Sequence, residues 1–285
     1  MYDVYLKNIK IEKVRHLTDV SIPICEDKKN LIITGKNGSG KTSLLNAIAV
    51  QLNNLVDDYQ DSSNNDNLRA DIVLNDTSDG VKQHFGKGDF VLAYYTASRK
   101  FDPIMSEHVE KVILKDCYSI YESPGNMFIK YMLERKVTEA LARTSGKEEK
   151  AGEIHNWFEN LETILKKILD DDTIRVTFDD ETFAFGINQE GRPEISLNEL
   201  SNGISAMLDI VTDLIMRMEK HANGSGNYDL PGIVLIDEIE VHLHRDMQKI
   251  VMDILEGAFP NIQFIITTNS WYITDNIGNA VVYYI

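Results

Sequence analysis

The sequence predicts an α/β fold: a mainly parallel core sheet, an antiparallel β subdomain at the start of the chain, and a helical hairpin inserted in the middle. Two features carry that prediction. Short apolar bursts, the pattern of strands buried on both faces, recur at 31–34, 90–95, 233–236 and 262–267. Helical windows alternate with several of them, and that alternation builds a parallel sheet covered on both sides. The middle third differs, with long charged side chains, helix formers and few β-branched residues.

Composition sets the bounds. A chain of 285 residues has room for one large domain or two small ones, with a substantial core. Its apolar and charged fractions are those of an ordinary globular protein, which excludes global disorder. No apolar run approaches the roughly 18 residues of a membrane-spanning helix, so no membrane partner is expected. The start, Met1 to Lys7, lacks a basic region backed by an apolar run and is no secretory signal. Two cysteines, Cys25 and Cys117, build neither a disulfide framework nor a four-cysteine zinc site, and they fit the reducing cytoplasm. The net charge of −16 repels phosphate backbones at long range, so nucleic acid is not the default partner, though a local basic face is compatible with it.

The elements follow in order. Residues 2–11 and 17–24 are β-rich runs joined at Arg15-His16, which predicts a hairpin. Leu31-Ile32-Ile33-Thr34 is a buried strand running into a glycine loop. Leu44, Leu45, Ile48, Leu52, Leu55 and Val56 then recur at helical spacing. Residues 57–80, rich in Asp, Asn and Ser, read as an acidic loop followed by an edge strand at Ile72-Val73-Leu74. A core strand spans 90–95 and ends at Thr96-Ala97-Ser98-Arg99-Lys100. Helices are expected at 126–144 and 148–170, turning at Thr144-Ser145-Gly146. The first carries Phe128, Met132 and Leu133 on its apolar stripe, the second Ile154, Trp157 and Leu161. Asp170-Asp171-Asp172 reads as a solvated turn. A hairpin over Asp179-Asp180-Glu181 joins 173–178 to 182–188. A helix to about 220, strands at 233–236, 262–267 and 280–285, and a helix near 246–257 complete the chain. The domain division expected is 1–100 with 196–285 as the core, and 101–195 as the insertion.

Three motifs carry chemistry. Gly35-Lys36-Asn37-Gly38-Ser39-Gly40-Lys41-Thr42 fits the phosphate-binding loop pattern. Its glycines let the backbone wrap a phosphate chain with N–H groups inward, and the next helix presents its positive end to the same anion. Lys41 would reach the β- and γ-phosphates, and the Thr42 hydroxyl would ligate Mg²⁺. Ile233-Val234-Leu235-Ile236-Asp237-Glu238 has the Walker B form. Its strand delivers Asp237 to the metal and Glu238 as general base for an attacking water. Leu200-Ser201-Asn202-Gly203 opens an amphipathic helix, where Ser201 and the amides around Gly203 offer a second anion site or an ordinary helix cap.

The third motif resembles the LSGGQ-type signature of ABC-class ATPases. With both Walker motifs it implies an ABC-ATPase-like P-loop fold. In that class the signature completes the γ-phosphate pocket of a second subunit, so the resemblance implies a head-to-tail homodimer around ATP and Mg²⁺. The chain is similar to the SMC, RecF and OLD-like branch. Its opening Leu6-Lys7-Asn8-Ile9 through Arg15 resembles that branch's first hairpin, which lies beside the nucleotide, and 35–43, through Ser43, resembles its "GxNGSGKTS" loop. Residues 237–244 are similar to the "DEPExHLHP" run of stand-alone bacterial members. Several of those accompany nucleases or toxins in anti-phage systems, the Septu type among them. The implied partner is therefore a separate effector protein such as a nuclease.

The family pattern is broken at two positions. Thr267-Thr268-Asn269-Ser270 has Asn269 where the family's "TTHS" pattern has its switch histidine; an amide donates to a γ-phosphate but carries no proton, which predicts slow hydrolysis. Ile239 replaces a proline. Gln83 is the candidate for the glutamine-loop metal ligand. His242 and His244, two apart, would share one face of a strand, yet no third ligand accompanies them. The competing functions are an ATP-hydrolysing enzyme, a weakly hydrolysing nucleotide switch, and a DNA repair or condensation ATPase. The net charge argues against the last.

Overall fold

The computed structural model describes residues 2–24, 27–57, 68–105, 108–197 and 200–285. Cys25 and most of the predicted acidic loop lie outside them. The chain forms two compact units: Met1–Arg99 with Asp116–Glu122 and Leu230–Ile285, and Lys100–Lys115 with Ser123–Asp229.

In the first unit, β1 (Leu6–Val14) and β2 (Leu17–Pro23) form the expected hairpin. Val14 pairs with Leu17, so the turn holds only Arg15 and His16, with Arg15 at φ 53°. β4 (Leu68–Leu74) pairs on the other side of β1, giving an antiparallel sheet in the order β2-β1-β4. The buried residues of β1 are Leu6, Ile9, Ile11 and Val14, which departs from strict alternation. Register shifts between Leu6 and Asn8 and between Ile11 and Lys13 account for both departures, because each adds one residue to the strand.

The second sheet of this unit is five-stranded and fully parallel. β3 (Asn30–Thr34), β5 (Val91–Tyr95), β9 (Gly232–Ile236), β10 (Ile262–Thr268) and β11 (Ala280–Tyr284) lie in the order β11-β3-β10-β9-β5. β3, β9 and β10 are buried at every position, as continuous apolar runs require. Their polar members are Asn30, Thr34, Thr267, Thr268 and, with no exposure, Gln263 in β10. Its amide bonds Leu6 N at 2.7 Å, Leu6 O at 3.1 Å and Lys29 O at 2.7 Å. A buried amide with three partners is fully compensated, and it staples β1 to the parallel sheet. α1 (Lys41–Val56) buries Leu44, Leu45, Ile48 and Leu52 in this core.

Among the described residues, two helices of this unit escaped the sequence reading, a one-turn helix at Trp271–Thr274 and a longer one. α2 (Ser78–Gly86) stands where the stretch up to residue 80 read as loop and strand. Thr77 caps it, accepting from Gly80 N at 3.2 Å, and Val81 and Phe85 form its buried face. Two apolar residues one turn apart among Asp, Gly and Lys make too weak a period to register. α6 (Arg245–Ala258) and the one-turn α7 (Trp271–Thr274) complete the unit.

The second unit holds the helical insertion. α3 (Phe128–Thr144) and α4 (Glu148–Leu169) form the predicted hairpin around Trp157, which is 1% exposed. β6 (Arg175–Phe178), β7 (Phe185–Asn188) and β8 (Ile195–Ser196) make a small antiparallel sheet whose first turn is wider than expected. Asp170 ends α4 at φ 50°, and the acidic run is the expected solvated turn, with Asp170 and Asp172 exposed and Asp171 bonding Thr173 and the amide of Gln189, just after β7. α5 (Asn202–Ala222) groups with this unit, although the division expected from sequence starts the core at 196. Its buried acids explain that. Asp213 accepts from Gly125 N at 3.0 Å and from Arg217 at 2.7 Å. Glu219 accepts from Tyr131 at 2.7 Å, Trp157 at 3.1 Å and Tyr228 at 2.9 Å.

Candidate active site

β3, β10 and β9 are neighbours in the sheet, so the three segments that follow their C-terminal ends lie side by side. The loop after β3 is 35–40. A Cβ added at Gly35 (φ +156°) would sit 2.0 Å from Ile285 O, so no other residue fits there without displacement. Gly40, at φ +99°, is the N-cap of α1 and provides no side-chain cap. The first-turn N–H groups of α1 therefore have neither intrahelical acceptors nor a capping oxygen. The Ser39 hydroxyl is buried without a partner. Lys41 is 5% exposed, and its ammonium curls back onto Gly35 O at 2.9 Å, Lys36 O at 3.1 Å and Asn269 Oδ1 at 2.6 Å.

The acidic segment follows β9. Asp237 is 3% exposed, and its Oδ1 accepts from the Thr42 hydroxyl at 3.1 Å and the Thr267 hydroxyl at 2.6 Å. Thr267 in turn accepts from Glu238 N at 2.8 Å. Parallel register explains this bridge. Ile266 pairs with Ile236, which sets Thr267 level with Asp237 one strand over. Glu238 is half-buried and holds φ 45°, and the buried Arg99 guanidinium donates to the carbonyls of Asp237, Glu238 and Ile239.

Asn269 follows β10. Besides Lys41, its amide donates to Asn37 Oδ1 at 2.6 Å, and its backbone N–H donates to Glu240 at 2.7 Å. Arg15 also arrives here: a Cβ at Gly40 would lie 3.8 Å from both Arg15 Cδ and His16 Cε1. The structure thus gathers Arg15, the loop from Gly35 through Lys36, Asn37, Gly38, Ser39 and Gly40, then Lys41, Thr42, Asp237, Glu238 and Asn269. Ser43 is buried one turn into α1.

Gln83 is not brought in. It stands exposed on α2, and among the described residues no hydrogen bond or ion pair joins it to Thr42 or Asp237. His242 and His244 do not share a strand face, because 237–242 is a turn with His242 at φ 68°. Among the described residues no group of three or more His, Cys, Asp or Glu is placed to hold a metal. In the second unit, Ser201 is the N-cap of α5, exposed and with no side-chain capping bond. Gly203 lies in the first turn of the same helix. Thr267 and Arg99 escaped the sequence reading, since each acts through strand register rather than through a local pattern.

The donor set fits a phosphate ester. An uncapped helix N-terminus, an unpartnered buried hydroxyl and an ammonium held by weaker carbonyl acceptors all gain from an anion in the loop. Thr42 and Asp237, one hydroxyl and one carboxylate in contact, are oxygen donors of the kind Mg²⁺ takes.

The chain is similar to known proteins in sequence and in fold. The sequence profile described as an AAA ATPase domain matches residues 91–274. The chain is 24% identical to Septu protein PtuA of Bacillus mycoides (strain KBAB4), over 93% of this chain and 38% of that protein's length. It is 42% identical to the Retron Vc95 probable ATPase of Vibrio cholerae serotype O1 biovar El Tor, over 27% of this chain and 15% of that protein. The chain thus spans well under half the length of these relatives. Among solved structures, an SMC head bound to the C-winged helix domain of ScpA superposes with a TM-score of 0.52 at 15% identity, covering 95% of this chain and 91% of that one. That likeness establishes an SMC-head-like fold. No helix among the described residues is long and apolar enough to cross a membrane.

Proposed function

Because the chain belongs to the AAA ATPase domain family, we propose that it binds ATP in the loop 35–43 and hydrolyses it with Glu238 as general base. One observation carries the proposal. The Thr42 hydroxyl and the Asp237 carboxylate, from segments far apart in the chain, meet at 3.1 Å beside Lys41. Lys41 would exchange its carbonyl and Asn269 acceptors for the phosphates. Thr42 and Asp237 would hold Mg²⁺, which neutralises phosphate charge when bound. Arg15 would meet the nucleotide from the hairpin tip.

The exposed, uncapped start of α5 supports pairing of two copies. Ser201 and Gly203 would serve as the second anion site for a partner's nucleotide. Similarity to Septu PtuA and to a retron ATPase supports an anti-phage role in the bacterial cytoplasm, in which the nucleotide cycle acts on a separate effector protein such as a nuclease. The net charge of −16 speaks against DNA as the primary ligand.

The direct test is phosphate release by the wild type and by Glu238→Gln. Removing a general base costs about 10²-fold or more. Equal turnover in both proteins, or none in the wild type with candidate partners present, refutes the hydrolytic reading. One observation favours a slower variant of the same function, a nucleotide-controlled switch. Asn269 contacts Lys41 through an amide that shuttles no proton. On that reading Asn269→His raises turnover while ATP binding persists.

A further inference from the structure

We infer that Arg99 is a positioning residue. It fixes the turn at 237–239 and thereby sets the direction of the Glu238 side chain; the inference rests on the ATPase reading above. Arg99 is 7% exposed and donates to four backbone carbonyls: Thr96 O at 3.2 Å, Asp237 O at 2.8 Å, Glu238 O at 3.2 Å and Ile239 O at 3.0 Å.

Three consecutive carbonyls converge on one donor only where the chain turns sharply. Here it turns with Glu238 at φ 45°, a left-handed conformation that a residue bearing Cβ avoids. Converging carbonyl dipoles also repel one another. A planar guanidinium, with five N–H donors in a fixed fork, satisfies all of them at once; a lysine ammonium is a point donor on a flexible stem. The opposite side of the same peptides is pinned as well. Asp237 N donates to Tyr95 O at 2.8 Å, Glu238 N to Thr267 Oγ1 at 2.8 Å and Ile239 N to Thr267 O at 3.1 Å. Strands β5 and β10 thus hold the amides while Arg99 holds the carbonyls. With both sides fixed, the Cα–Cβ bond of Glu238 has a single setting.

The test compares Arg99→Met and Arg99→Lys with the wild-type chain by two readouts. The first is hydrogen exchange without nucleotide. Amides at 238–243 are expected to exchange faster in both variants, while those at 232–236 and 263–267 keep their protection. The second is steady-state phosphate release. A misaimed general base lowers kcat by about 10²-fold while KM for ATP changes by less than about threefold. Adding Glu238→Gln to Arg99→Met then costs far less than Glu238→Gln alone. Unchanged exchange at 238–243, or equal falls in kcat and ATP affinity, overturns the inference. Should Arg99→Met lose protection throughout the sheet, Arg99→Lys, which keeps charge and stem, decides by the same readings. A wild type without turnover would sink the ATPase reading alone, since the exchange comparison tests the turn without it.

Discussion

Thr267 shows how much one hydroxyl does at the sheet's end. It donates to Asp237 at 2.6 Å and accepts from Glu238 N at 2.8 Å, so one oxygen orders both acids. Thr267→Val keeps the shape and deletes both bonds. It leaves the Glu238 N–H unpaired, at a cost of about 1–3 kcal/mol in stability. If roughly half of that falls on the transition state, turnover drops about two- to tenfold. Thermal unfolding and phosphate release measured together check this, and an unchanged rate would remove Thr267 from the site. The residues legible in sequence were those whose role is local. Gly35 to Thr42 form one contiguous wrap, and Asp237-Glu238 end one apolar run. Thr267 and Arg99 were not legible, because their partners lie across parallel strands whose register no local pattern encodes. Gln83 precedes β5 in sequence but stands exposed on α2, a helix the sequence did not announce.

At the level of elements, strands and long helices were legible to within a few residues. Their signals are continuous apolar runs and sustained stripes such as Ile154, Trp157, Leu161, Leu165 and Ile168 on α4. α2 and β8 were not legible, being too short to establish a period. α5 carries a feature that periodicity does not predict, an acid inside an aromatic nest. Burial raises the Glu219 carboxyl above its ordinary value of 4.5, even though hydrogen bonds from Tyr131, Trp157 and Tyr228 pull the other way. The sign follows from linkage. A carboxyl whose folded pKa is raised contributes stability that is complete below its unfolded pKa and is lost as pH climbs through the folded value. Denaturant midpoints of the wild type should therefore fall, relative to Glu219→Gln, as pH rises above about 4.5. Parallel midpoint curves for the two proteins would show that the acid is fully compensated by its three donors.

For the whole molecule, the proposed pairing has a mass signature. In the presence of ATP and Mg²⁺, Glu238→Gln should sediment at twice the mass it shows without nucleotide, because the trapped triphosphate holds two copies together. Ser201→Arg in the same background should remain at the single mass; doubling that persists in it would remove α5 from the interface. The two compact units are assembled from interleaved stretches of chain. Finally, the staple at Gln263 lies at one end of β1 and Arg15 just beyond the other. Nine residues of strand span about 30 Å. Over such an arm a tilt of one degree at the pivot moves the tip by roughly 0.5 Å, the tolerance within which a binding group must be held. The buried Gln263 amide thus sets the aim of an arginine at the far end of that strand, and a change at Gln263 would surface as lost nucleotide affinity together with lost stability.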